Sequence, residues 1–259
     1  MLNFLIQFSS AVLKLNRLLG TRFVPDHPSN ASPLGKSLYN IFSHHNTGNY
    51  LHRDSELQRV RFLIQNLQEL EKFRPDLLRV YAKNLRKAGG SDSFYGARFE
   101  IDITASLLKK GISLNKGERP DLRINESQVS IECTSVRSRT AKANKDLTYK
   151  INASVFKKSK LGYANRSMAL FIDITNISHL TSSFNPDEFR KAAINCQDES
   201  PFGALVLLVS LMNHDLDRFQ TNYLRIDNPK ISTDLLTFLN KYYSLGKHSV
   251  TDFDIPFEG

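Results

Sequence analysis

Cysteine is scarce and poorly spaced for chemistry. The 259 residues hold 2, Cys133 and Cys196, with no CxxC pair and no histidine at zinc-finger spacing, so neither a disulfide framework nor a structural zinc site is indicated. Glycine and proline are also few, 12 and 9, which excludes collagen-like and low-complexity chains. No uninterrupted apolar run of about 18 residues occurs. The apolar opening Met1–Leu19 is broken by Gln7, Lys14, Asn16 and Arg17, and no small-residue cleavage pattern follows it. The expectation is a soluble, cytoplasmic protein without a membrane span. A GxxxxGK(S/T) loop is missing, so built-in nucleoside triphosphate hydrolysis has no support. Acid is short relative to base. Lys plus Arg number 35 against 26 Asp plus Glu, a net charge of +9, which favours polyanions such as nucleic acid or an acidic membrane surface.

Enough apolar residues are present for a full core, and the pattern changes near residue 92. Leu5, Phe8, Val12, Leu15 and Leu19 recur at helical spacing and predict a core-packing helix; the alternative is a helix lying on a membrane surface. Residues 24–50 carry Pro25, Pro28, Pro33, Gly35 and Gly48 and read as a linker or long loop. Leu57, Val60, Leu63, Ile64, Leu67 and Leu70 predict a helix capped by Asp54 or Ser55 and stopped by Pro75. A second helix spans 76–87 and ends at Gly89-Gly90, a left-handed C-terminal signal. Residues 1–92 therefore read as a mainly helical region. Beyond it, strands at 121–124, 129–134, 168–175 and 203–211 alternate with helices at 145–161, 186–194 and 232–243, which predicts an α/β domain over 93–259.

The sharpest chemical signal is a hairpin. Asp121-Leu122-Arg123-Ile124 and Val129-Ser130-Ile131-Glu132 both alternate with period two around a four-residue loop, so Leu122 should face Ile131 and Asp121 should face Glu132. Directly opposed side chains have β-carbons about 5 Å apart, where like charges repel unless cancelled. Mg²⁺ or Mn²⁺ would cancel them, being bound by one or two carboxylates plus water and phosphate oxygens. Neutralisation of a surface hairpin by Arg123 and Lys116 is the competing account.

Pro120-Asp121, ten intervening residues, then Ile131-Glu132-Cys133-Thr134 resembles the PD-(D/E)XK, or restriction-endonuclease-like, nuclease superfamily. The likeness runs over about residues 93–175, including the segment Phe94–Glu100 and the basic stretch after the hairpin. It implies an αβββαβ core with a helical N-terminal extension, and a Mg²⁺-dependent endonuclease acting on DNA. It implies metal binding by Asp121 and Glu132, completed by the Ile131 or Cys133 carbonyl, with Glu100 assisting from a helix. Periodicity alone leaves Glu100 on a strand or a helix. The motif lysine falls on Thr134, which lacks an ammonium; members of the superfamily relocate that lysine, and Lys150 is the expected substitute. A degenerate fold that binds nucleic acid without cutting it is the competing reading.

Between Arg137 and Arg166 the chain carries nine basic residues and one acid, Asp146. Arg137, Arg139, Lys142, Lys145, Lys157 and Lys158 are accordingly candidate phosphate contacts. Tyr149, Phe156 and Tyr163 interleave with them; stacking on bases is one role, and for Phe156 core packing is the expectation. His44, His45 and His52 lack acids at metal-ligand spacing, Asp173 reads as a turn or cap partner, and Cys133 as a small core residue. The helical region is left with substrate recognition, homodimerisation or contact with a partner protein as its roles.

Overall fold

A computed structural model of the chain describes residues 2–24, 32–88, 90–125, 127–137, 147–180, 186–197, 199–213, 218–245 and 250–251. The fold is mixed α/β and divides into two units, Met1–Gly111 and Ile112–Asn213 with Gln220–Glu258. The division falls after Gly111, whereas the change of pattern in the sequence put it at 92. The helix between those two points packs with the helices that precede it.

The first unit holds α1 (Leu2–Leu19), α2 (Pro33–Asn46), α3 (Tyr50–Phe73), α4 (Pro75–Lys87) and α5 (Ser91–Lys109). In α1 the buried stripe is Phe4, Phe8, Ala11, Val12, Leu15, Leu18 and Leu19. Leu5, expected in that stripe, is exposed together with Ile6 and Leu13, because the apolar side is centred nearer Phe4. The expected linker 24–50 instead contains α2. Ser32 caps it, its hydroxyl accepting from the Gly35 amide at 3.0 Å, and Pro33 stands at the first turn, where its missing N–H costs nothing. Leu34, Leu38 and Ile41 are buried, so the proline that suggested a loop marks a helix start. Every residue named for the next helix, Leu57 to Leu70, is buried in α3, although that helix begins at Tyr50 with Asn49 rather than Asp54 or Ser55 before it. Gly90 is extended (φ −143°) and precedes α5, while Gly89, the other residue of the expected left-handed signal, lies outside the described residues. Glu100 lies on α5, which settles the ambiguity between strand and helix.

The second unit is built on a seven-stranded sheet in sequential order: β1 (Leu114–Lys116), β2 (Leu122–Ile124), β3 (Ser130–Ser135), β4 (Met168–Asp173), β5 (Ala204–Asn213), β6 (Arg218–Asp227) and β7 (Val250–Thr251). β1, β2 and β3 pair antiparallel; β3, β4 and β5 run parallel. Parallel strands need crossovers, supplied by α6 (Leu147–Ser159) between β3 and β4 and α7 (Pro186–Gln197) between β4 and β5. The final helix α8 (Thr233–Tyr242) is capped by Ser232.

Alternation sorts the strands into two faces. Met168, Leu170 and Ile172 of β4 join Leu205, Leu207 and Val209 of β5 and Ile151, Val155, Phe189 and Ala193 of the crossover helices in one cluster. On β3, Ser130, Glu132 and Thr134 lie in register with Met168, Leu170 and Ile172, so Glu132 projects toward this helix-covered face. Phe171 is on the other face, fully buried, its ring edge-on to Tyr243 at 5.1 Å. Phe171→Ala should cost about 3–5 kcal/mol in urea unfolding, and a loss below about 1 kcal/mol would contradict a packed core on that face.

Candidate active site

The hairpin register is the expected one: Leu122 faces Ile131 and Arg123 faces Ser130, while the Ile124 amide donates to the Val129 carbonyl at 3.0 Å. Asp121 stands one residue ahead of β2 on a tight loop in which the Gly117 amide donates to the Asp121 carbonyl at 3.0 Å. A β-carbon at Gly117 would overlap the Pro120 carbonyl, so the approach that presents Asp121 requires glycine there. The Cys133 amide donates to Asp121 Oδ2 at 2.8 Å. That bond ties the carboxylate to the residue following Glu132.

Glu132 is 2% exposed, an unusual place for a carboxylate, and it has two partners. Lys158 Nζ pairs with Oε1, and the Tyr163 hydroxyl donates to Oε2 at 3.0 Å. Burial, and next the negative charge of Glu132, push the Asp121 carboxyl above the ordinary aspartate value; the Cys133 amide, Lys158 and Lys116 oppose the rise. Tyr163 is pushed well above the usual phenol range by burial, by the charge of Glu132 and by its hydrogen bond to it, with Asp121 adding and Arg119 opposing. Asp121 and Glu132 thus feel each other's charge, as the register requires.

The lysine at the carboxylates is Lys158, not Lys150. Helical phase explains the correction. Lys158 is two turns beyond Ile151, on the same side of α6 as the buried Ile151 and Val155, and therefore points toward the sheet. Lys150 is about 80° around the helix and about 12 Å along it from Lys158. Among the described residues Lys150 makes no ion pair, and it is half-buried. Thr134, at the motif-lysine position, approaches Ser154 of α6 instead, with 3.3 Å between hydroxyls. Lys158, expected among the phosphate contacts, gives its head group to Glu132 instead.

Glu100 lies in the helical unit, 8% exposed. The Tyr81 hydroxyl bonds Glu100 Oε1 at 3.0 Å and contacts the Thr104 hydroxyl at 2.8 Å. Of the remaining basic candidates, Lys157 is exposed and Arg137 half-buried, while Arg139, Lys142 and Lys145 lie outside the described residues. Phe156, expected in the core, is 64% exposed. Cys133 is buried, and Asp173 accepts from the Thr175 amide at 2.9 Å and the Ser135 hydroxyl at 3.0 Å, the expected turn partners. His44, His45 and His52 sit on α2 and α3, where His45 stacks on Phe4 and is contacted by Arg53 at 3.2 Å. Among the described residues no group of three or more His, Cys, Asp or Glu is placed to hold a metal ion. The carboxylates that meet are a pair, the number with which Mg²⁺ is commonly held when water and phosphate supply the rest.

Sequence reasoning missed Tyr163 and Ser154 as parts of this site. The available signal was the phase of α6, which puts Ser154 and Lys158 beside the buried stripe. Comparison with protein-family models, curated proteins and solved structures gives no match.

Because the folded-state value of Asp121 is raised, its contribution to stability is present below the ordinary Asp value and is lost as pH rises through the raised one. Its charge therefore costs stability at neutral pH. Asp121→Asn should melt at a higher temperature than wild type in EDTA at about pH 7, with the gap closing toward about pH 4. An equal or lower melting temperature at neutral pH would contradict the rise that burial and the charge of Glu132 impose on Asp121.

Proposed function

We propose that this chain is a metal-dependent nuclease of the PD-(D/E)XK type, hydrolysing phosphodiester bonds in DNA as an endonuclease. The observation that carries the reading is the pair Asp121 and Glu132, coupled in like charge on one hairpin, with the ammonium of Lys158 delivered to Glu132 by the following helix. Two features support it further. The chain order α5, β1, β2, β3, α6, β4 is the order the resemblance implies, and Lys158 supplies the charge that Thr134 lacks.

Asp121 and Glu132 would hold Mg²⁺ or Mn²⁺, with the Ile131 or Cys133 carbonyl as a further oxygen. The donors fit, since both are hard carboxylate oxygens, and the Asp121 carboxyl, raised by burial and next by the charge of Glu132, would be relieved by a cation. The ion would supply an activated water and neutralise the phosphate. The protein groups prepare that site. The Cys133 amide fixes one oxygen of Asp121, Tyr163 orients Glu132, and Lys158 pairs with Glu132 and would place a positive charge where the phosphate gains negative charge. The reading rests on Asp121 and Glu132, without Glu100.

A second reading is a nucleic-acid-binding module that does not cut. It is favoured by the completeness of the Glu132 contacts, since Lys158 already cancels the charge a metal would otherwise neutralise.

Supercoiled plasmid incubated with Mg²⁺, Mn²⁺ or EDTA distinguishes them. The nuclease reading predicts metal-dependent nicking, abolished by Glu132→Gln and slowed about 100-fold or more by Lys158→Met. Loss in Lys150→Met without loss in Lys158→Met would contradict the assignment of the lysine. No cutting with either metal, with salt-sensitive DNA binding retained, would establish the module instead.

A further inference from the structure

The outward side of α6 has a composition that the carboxylate site does not use. Tyr149 and Phe156 are 51% and 64% exposed, unusual for large aromatic side chains. They are two helical turns apart, so they lie on one side of α6, opposite the buried Ile151 and Val155. Ala153, small and exposed, falls between them on the same stripe. Lys160 continues that stripe, its Nζ 4.1 Å from the centroid of the Phe156 ring, and exposed Lys157 flanks it. The helix itself contains no Asp or Glu. Two exposed aromatic rings and two exposed ammonium groups, with no carboxylate among them, thus share one side of a helix whose opposite side delivers Lys158 to Glu132.

We propose that this stripe is a stacking platform for an unpaired DNA strand. The inference rests on the nucleic-acid reading above and deepens it by naming the kind of strand. An aromatic ring can stack on a base only if that base is not stacked within a duplex, whereas lysines contact the phosphates of either form. A platform that served duplex DNA alone would need the lysines and not the rings. The spacing suits a single strand. Tyr149 and Phe156 are about 10.5 Å apart along the helix axis, about three nucleotide steps at 3.4 Å. Ala153 leaves the surface between the rings low, so intervening nucleotides can cross it. Lys157 and Lys160 set positive charge beside the second ring, where the backbone of a stacked nucleotide passes. The preferred substrate then carries an unpaired segment next to the bond to be cut, as in a flap, a gap or a single-stranded tract.

The test is fluorescence anisotropy with a labelled 20-nucleotide oligothymidylate and a 20-base-pair duplex, on the full chain in EDTA, so that binding is read without cleavage. Wild type should prefer the single strand. Tyr149→Ala and Phe156→Ala should each weaken single-strand binding at least about 5-fold, leave duplex binding unchanged, and regain single-strand binding in Tyr149→Phe and Phe156→Tyr. Both positions are exposed, so the variants should fold as wild type does, which circular dichroism checks. Equal losses for single strand and duplex, undiminished binding in the alanine variants, or no binding of either DNA would each overturn the proposal. Single-strand binding that depends on the rings in a chain that cuts nothing with Mg²⁺ or Mn²⁺ would uphold the platform and sink the nuclease reading. Cleavage with ring-independent binding would do the reverse.

Discussion

Two carboxylates held face to face on one hairpin repel each other, and the surrounding residues make sense as responses to that repulsion. Period-two alternation on β2 and β3 forces Asp121 and Glu132 together once Leu122 and Ile131 are both turned into the core. Moving either acid out of the pair would require a register slip that exposes those apolar residues. The repulsion is therefore enforced by the hydrophobic pattern, and what remains to be arranged is its compensation. The Cys133 amide, Lys158 and the more distant Lys116 supply part of it, and Asp121 still carries a raised pKa. Burial is the largest cause of that rise and the charge of Glu132 the next, and a cation bound between the two acids would relieve both.

α6 is where the compensation and the proposed substrate contacts meet, and it does so through helical phase alone. Ile151 and Val155 anchor it on the sheet, Lys158 continues that side to reach Glu132, and Ser154 approaches Thr134 from its edge. The aromatic stripe is on the far side. A single helix can thus carry a charge inward and stacking surfaces outward because residues three, four and seven apart share a side. The ammonium at Glu132 comes from α6, and Thr134 on β3 is short enough to let that helix approach.

Much of this arrangement was legible in the sequence, and the gaps have physical causes. The hairpin and its register were legible because alternating apolar residues around a short turn admit one pairing. Buried β4 and β5 were legible because parallel strands covered on both faces read as continuous apolar runs. Helix α2 was not, since Pro33 and Gly35 serve equally at a helix start and in a loop, and only the burial of Leu34, Leu38 and Ile41 decides between them. Strand β6 was missed because Arg218–Asp227 mixes polar and apolar residues. The choice of lysine failed for a different reason: proximity in sequence favoured Lys150, whereas the periodicity of α6 favoured Lys158, and the density of lysines hid the second signal. Tyr81 as the partner of Glu100 is a contact between helices that no local pattern announces.

The central claim is that Asp121 and Glu132 together form a divalent-cation site, and its most direct test is calorimetric titration of Mn²⁺ into the purified full chain. The account predicts saturable binding of one ion per chain in wild type, lost in both Glu132→Gln and Asp121→Asn while each variant keeps its fold. Binding that persists undiminished in either variant, or no binding in wild type, would contradict it.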